Sequence, residues 1–253
     1  MNQYDYSNPL HTSIYTYLQS SSVIWCSIDI LTAYFLSLTS NSNDAYYYYL
    51  LNPLTILTTL SKSSITIQNL LISVTIGLCY KSQYFFSLLS LSLCSIFYLY
   101  PIGLLPFVLL FIYNQTNGNK VKVFNHFITF ILISLSLLLL SRSKVNDWKF
   151  MDLYRNLIFC YDLTPNVGLY WYLLMETFDN YRSFFLTILQ THAFIHILPL
   201  TFFLHSKPLL GFTLSAGILS IFKSYPSIGD TNIYITLLSI NFTYLFECKL
   251  KFV

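Results

Sequence analysis

From Val123 to Ser141 the chain runs without one Asp, Glu, Lys or Arg, through the segment ISLSLLLLS. A hydrocarbon core of about 30 Å is crossed by roughly 20 apolar residues in a helix. Backbone inside hydrocarbon must also satisfy its own polar groups, which leaves helices and closed barrels as the spanning forms. The run therefore reads as a membrane-spanning helix, and it is one of several. Comparable apolar runs lie at 10–38, 46–60, 64–80, 83–100, 184–204, 209–222 and 229–246, with a shorter one at 102–113 after Pro101. Short polar breaks separate them, among them SNSNDA at 40–45 and NQTNGNK at 114–120. The pattern predicts an all-α polytopic membrane protein with about eight to ten membrane helices.

Composition agrees. Charged residues are 9% of 253 positions, against roughly 25% in soluble domains. A soluble domain could not cover its surface with so few charges. The net charge of +3 is small and scattered, which argues against nucleic acid as a partner. Cys26, Cys79, Cys94, Cys160 and Cys248 share no CxxC spacing and read as small apolar residues. The first twelve residues are polar and lack a basic stretch, so no cleavable signal peptide is expected and the first apolar run serves as its own insertion signal. One multispan membrane domain is expected over 1–253, with no soluble domain. Basic residues divide evenly between the two sides, so they do not orient it.

Residues 142–182 break the pattern, holding ten of the 23 charged residues. Trp148, Phe150, Met151, Leu153, Leu157 and Ile158 alternate there with charges at helical spacing. That is the signature of an amphipathic segment lying in the membrane interface. Polar residues in or beside spanning helices are costly and mark sites or structural bonds. Asp29, inside the first run, costs roughly 2.5–3.5 kcal/mol on insertion scales and is expected to face another helix, as a structural or a functional group. Asn52 precedes Pro53, a local break that can line a cavity. Thr164-Pro165-Asn166 reads as a turn, and Tyr170, Trp171 and Tyr172 as an interfacial aromatic belt or a ligand cage. Glu176, Asp179 and Arg182 share a face if one helix carries them, either as solvated charges or as a site. Lys223 and Asp230 bracket a compact loop around Tyr225-Pro226. His192 and His196 stand one turn apart without a nearby acid, too few ligands for zinc. No cofactor or metal is expected. No P-loop, GxSxG or HExxH occurs.

Four segments carry a resemblance: SIDILTAYF at 27–35, YLLNPLTILTTLSKSS at 49–64, DLTPNVGLYWYLLMETFD at 162–179 and FKSYPSIGD at 222–230. In this order and spacing the chain resembles the PIG-U family of eukaryotic membrane proteins, with Asp29 at that family's acidic position. The resemblance runs from about residue 9 to 246. It implies an architecture similar to the multispan (GT-C-like) mannosyltransferases. It also implies a subunit of the glycosylphosphatidylinositol (GPI) transamidase of the endoplasmic reticulum membrane, which replaces a protein's C-terminal signal with a GPI lipid. Catalysis would then belong to a caspase-like subunit, alongside PIG-T-like, PIG-S-like and GPAA-type partners. Against the family pattern, an N-terminal span and the helices beyond Phe246 are expected to be missing.

With the family's topology, 142–182 and the 223–230 loop lie on the luminal side. Asn52, Asp162, Asn166, Tyr170, Trp171, Tyr172, Lys223 and Asp230 would then bind or present the GPI lipid. The competing reading is a mannosyltransferase of GPI-anchor biosynthesis that uses dolichol-phosphate mannose. It needs paired acids after a first span, whereas only Asp5 precedes the first apolar run. A transporter would need inverted repeats, and the halves show no convincing similarity.

Overall fold

Proline, glycine and the polar breaks decide where each apolar run stops being one helix. The computed structural model describes residues 9–19, 21–39, 44–145, 150–160 and 165–241. All of its regular structure there is helical. The first run divides into α1 (Pro9–Leu18) and α2 (Ser22–Ser37), inclined at 113° to each other. The second divides into α3 (Asp44–Leu50) and α4 (Pro53–Leu60). Pro53 lacks the N–H that would continue α3. Asn52 instead turns extended (φ −68°, ψ 122°), and its side chain accepts from Leu54 N at 3.0 Å. Asn52→Ala is expected to cost about 1 kcal/mol, read as a lowered midpoint of unfolding in detergent.

The next helices are α5 (Ile65–Tyr80), α6 (Tyr84–Tyr98) and, after a 3-10 turn at Tyr100–Leu104, α7 (Leu105–Gln115). Then come α8 (Lys120–Val145), α9 (Met151–Phe159) and α10 (Leu169–Glu176). The chain continues through α11 (Asp179–Ile195), α12 (Ile197–Phe203), α13 (Pro208–Ile221) and α14 (Asp230–Ile240).

Helix α5 is central, with α2 on one side and α6 on the other, and α6 in turn lies on α8. A Cβ on Gly77 would lie 2.7 Å from the Phe35 carbonyl oxygen, so α5 approaches α2 more closely than a side chain allows. Leu36, Ile76, Leu88, Leu91, Phe107, Ile112, Phe212 and Leu237 form the core that α2, α5, α6, α7, α13 and α14 share. At the near end, Tyr15 donates to the Lys62 carbonyl (3.0 Å) and Lys62 Nζ to the Gln19 carbonyl (3.2 Å), tying α1 to the turn after α4.

Two continuous helical stretches, Lys120–Lys144 and Asp179–Phe203, are long and apolar enough to cross a membrane, or three if α1 and α2 make one bent span. At 1.5 Å per residue, 25 residues reach about 37 Å. Helix α8 is little covered by protein: Phe124, Leu132 and Leu135 are each more than half exposed. Hydrocarbon is the medium in which such a face is stable. Four further apolar helical segments have 10–17 residues and sit mostly in the interior. The molecule is an all-α membrane protein.

The structure corrects one expectation in the polar stretch. Glu176, Asp179 and Arg182 do not share a helix: α10 ends at Glu176, and Thr177 and Phe178 are extended before α11 begins. The Thr177 hydroxyl donates to the Leu173 carbonyl (2.6 Å), taking up a helix-terminal acceptor that the next turn would have used. Arg182 donates instead to the Cys160 carbonyl at 2.6 Å. Gln190 donates to the Leu157 and Ile158 carbonyls (3.2 and 3.0 Å), capping the free end of α9 and holding it to α11.

Candidate functional site

Three of the four sequence segments singled out above meet at one place. The loop between α13 and α14 carries Lys223, buried at 9% exposure, and Asp230 opens α14 at 7%. Lys223 Nζ reaches Asp230 Oδ1 at 3.0 Å, Oδ2 at 3.3 Å and Gln68 Oε1 at 3.3 Å. An ammonium has three donors, and this one has three acceptors. Gln68 returns a bond from Nε2 to Asp230 Oδ1 (3.1 Å), and Ser227 N donates to Oδ2 (2.8 Å). Next to it on α5, Asn69 donates to the Gly229 carbonyl at 3.2 Å. Ser224 N donates to the Tyr100 hydroxyl at 3.1 Å. The loop is thus held by amides from the central helix. A small cavity of about 30 Å³ adjoins the pair, bounded by Gln68, Tyr100, Leu104, Ser220, Lys223 and Asp230. That is room for about two waters beside polar partners.

Outside this hub lies an open groove of about 620 Å³. Leu54 of α4 forms one wall, Val167, Gly168, Leu169 and Tyr172 a second, and Pro226, Ser227 and Ile228 a third. Its rim is apolar and exposed: Val167 76%, Tyr172 62%, Ile228 58%. Gly168 permits the second and third walls to touch, since a Cβ there would lie 2.6 Å from Pro226 Cδ. Asn166 Oδ1 accepts from Gly168 N (2.7 Å), a side-chain-closed turn that aims the segment. Hydrogen-bonding groups in the hub and hydrocarbon surface in the groove therefore share one loop.

The residues expected at a site are distributed as follows. Lys223 and Asp230 form the hub. Asn166 and Tyr172 shape the groove, and Asn52 caps the helix that supplies Leu54. Tyr170 does not line the groove; it is buried with Cys160, Leu174, Leu186 and Leu189, beside Tyr100 of the hub, and Trp171 is half-buried and does not line the groove. Asp162 lies outside the described residues. Asp29 stands elsewhere, accepting from the Tyr49 hydroxyl (3.2 Å) and from the Thr59 hydroxyl. Sequence reasoning missed Gln68, Asn69 and Tyr100. Two adjacent amides inside the apolar run at 64–80 were the available signal. Cys160 is 2% exposed, and burial pushes its thiol up to about 11, so it stays protonated at neutral pH. Among the described residues no group of three or more His, Cys, Asp or Glu could hold a metal ion.

An apolar groove beside a buried ion pair, in a bundle whose outer helices face hydrocarbon, defines a lipid-embedded helical protein with an amphiphile-sized cleft. Residues 6–253 match the family model described as GPI transamidase subunit PIG-U. The chain belongs to the PIG-U family. It is 34% identical over 196 residues to the GPI-anchor transamidase component PIGU of Cricetulus griseus, covering 74% of this chain and 45% of that protein. The Homo sapiens protein of the same name is 33% identical over 196 residues, with the same coverage. The GPI transamidase component GAB1 of Saccharomyces cerevisiae is 30% identical over 202 residues, covering 78% of this chain and 50% of that protein. The chain spans about half the length of the curated relatives it matches.

Proposed function

We propose that the chain works as a non-catalytic membrane subunit of a GPI transamidase in the endoplasmic reticulum membrane, where it helps bind and present the GPI lipid. Catalysis belongs in this reading to a caspase-like subunit, with PIG-T-like, PIG-S-like and GPAA-type partners completing the complex. The observation that carries it is the convergence of the 52–54, 166–172 and 226–230 segments on one groove beside the Lys223–Asp230 hub. A GPI lipid is an acyl-chained anchor with a polar glycan. The apolar rim of Tyr172, Val167 and Ile228 suits the chains, and the hydroxyl of the exposed Tyr172 suits the glycan. Asn52 and Asn166 support the walls, Tyr170 and Trp171 belong to the helix that carries Tyr172, and Asp162 belongs to the same sequence segment. Family membership and the names of the relatives point the same way. The mannosyltransferase reading gains no support from any arrangement of acids in the described residues.

Ile228→Asp and Tyr172→Asp each place a charge where a hydrocarbon chain would lie. In cells depleted of the endogenous subunit, surface display of a GPI-anchored reporter is expected to fall about tenfold, equivalent to about 1.4 kcal/mol of lost lipid affinity. Chain abundance should be unchanged, because both residues are exposed. Undiminished display with both substitutions together would rule the groove out as the lipid site.

A further inference from the structure

A second pocket, of about 240 Å³, opens between α2 and α4, and the reading above leaves it unused. Asp29, Thr55 and Thr59 line it together with the apolar Ile30, Ile56 and Leu60. Asp29 is 5% exposed, and its two oxygens accept one hydroxyl each, from Tyr49 and Thr59. A carboxylate offers about four lone-pair sites, so about half of its capacity is unused. Thr55 is 2% exposed and its hydroxyl has no hydrogen-bond partner. Among the described residues the one ion pair is Lys223–Asp230, so no described cation neutralises Asp29. Two buried polar groups with unused hydrogen-bonding capacity, the Asp29 carboxylate and the Thr55 hydroxyl, thus share one open pocket whose lining includes no Lys or Arg. Left so, the arrangement is costly in a hydrocarbon surround.

The occupant that removes this cost is a cation with several N–H donors, delivered from within the bilayer. Asp29 lies midway along α2, so a ligand group reaching it approaches at helix depth and not from the head-group layer. The volume lies below the roughly 300–1,000 Å³ of small-molecule sites, and suits a single long side chain. The rim is apolar and exposed (Ile30 51%, Ile56 48%, Leu60 75%), as a helix-packing surface in lipid would be. We infer that this pocket receives a Lys or Arg side chain from a transmembrane helix of another subunit, which pairs with Asp29 and bonds to the Thr55 hydroxyl. The inference rests on the subunit reading proposed above and adds to it an intramembrane docking point away from the lipid groove.

The test places photoreactive p-benzoylphenylalanine at Ile30 in the full chain, expressed in its own membranes with an affinity tag. Irradiation is expected to yield a protein adduct whose cross-linked peptide is a membrane-spanning segment with a Lys or Arg within about one helical turn. Asp29→Asn should lower the adduct yield at least about tenfold at equal chain abundance, whereas Asp29→Glu should retain it. Thr55→Val, which keeps Asp29 in place, should lower the yield by a smaller factor and serves if Asp29→Asn does not accumulate. Adducts to lipid alone, a cross-linked segment without a basic residue, or equal yields with and without Asp29→Asn would each overturn the inference. If the tagged chain still co-purifies with a caspase-like subunit in those cases, the subunit reading stands and only this docking point falls.

Discussion

Lys223→Ala is expected to destabilise the protein by about 3–5 kcal/mol, and Asp230→Ala by a similar amount. Each removal strands a charge that the fold has already taken out of water. With Lys223 gone, Asp230 keeps only the Gln68 amide and the Ser227 N–H. With Asp230 gone, Lys223 keeps one acceptor, Gln68 Oε1. Replacing the pair together by Met and Leu is expected to cost much less, because a matched apolar pair leaves no buried charge. The measurement is a double-mutant cycle of Lys223→Met and Asp230→Leu on unfolding in detergent, in which the two single losses added together should exceed the double loss by more than 1 kcal/mol. Additive losses would mean that the two charges are solvated separately. The local consequence is also specific. Asp230 accepts from Ser227 N, so its loss releases the loop that supplies Pro226 and Ile228 to the groove. Reporter display should fall with stability in both single variants.

Gly229→Ala should cost about 1–3 kcal/mol for a purely steric reason. Gly229 is in ordinary right-handed geometry (φ −65°), so its backbone does not demand glycine. The constraint is contact: a Cβ there would lie 2.4 Å from Ile65 Cγ2 and 2.8 Å from Thr58 Cγ2. Both obstructing methyls sit on β-branched side chains with little rotamer freedom, so the strain passes to the backbone. Moving the loop would lengthen the 3.2 Å bond from Asn69 to the Gly229 carbonyl and disturb the adjoining ion pair. Combining Gly229→Ala with Ile65→Ala should cost less than the two single losses added, because the second substitution vacates the space the first one needs. If Gly229→Ala left both stability and reporter display unchanged, close seating of this loop on α5 would not matter to the fold.

Several features could be read in advance. The long exposed face of α8 follows from the uncharged run at 123–141, and the break between α3 and α4 follows from Asn52-Pro53. The motif at 222–230 drew attention to Lys223 and Asp230, but their pairing was visible only in the structure. Other features could not be read so. The run at 10–38 looked continuous, yet it divides into two helices at 113°. Nothing in the apolar spacing distinguishes a straight helix from a sharply bent pair. Tyr170, Trp171 and Tyr172 looked equivalent in sequence, but helical rotation sends Tyr170 inward to Cys160 and Leu186 and leaves Tyr172 at the groove.

By itself the sequence determined the medium, because so few charges leave no other way to solvate the surface, and it determined the family through short polar interruptions. Only the tertiary structure decided which of those interruptions meet. Gln68 joins Lys223 across 155 residues and Asp230 across 162. Hydropathy describes each residue's transfer from water separately. Which faces of two helices touch depends instead on packing, where Gly168, Gly229 and their neighbours allow close approach.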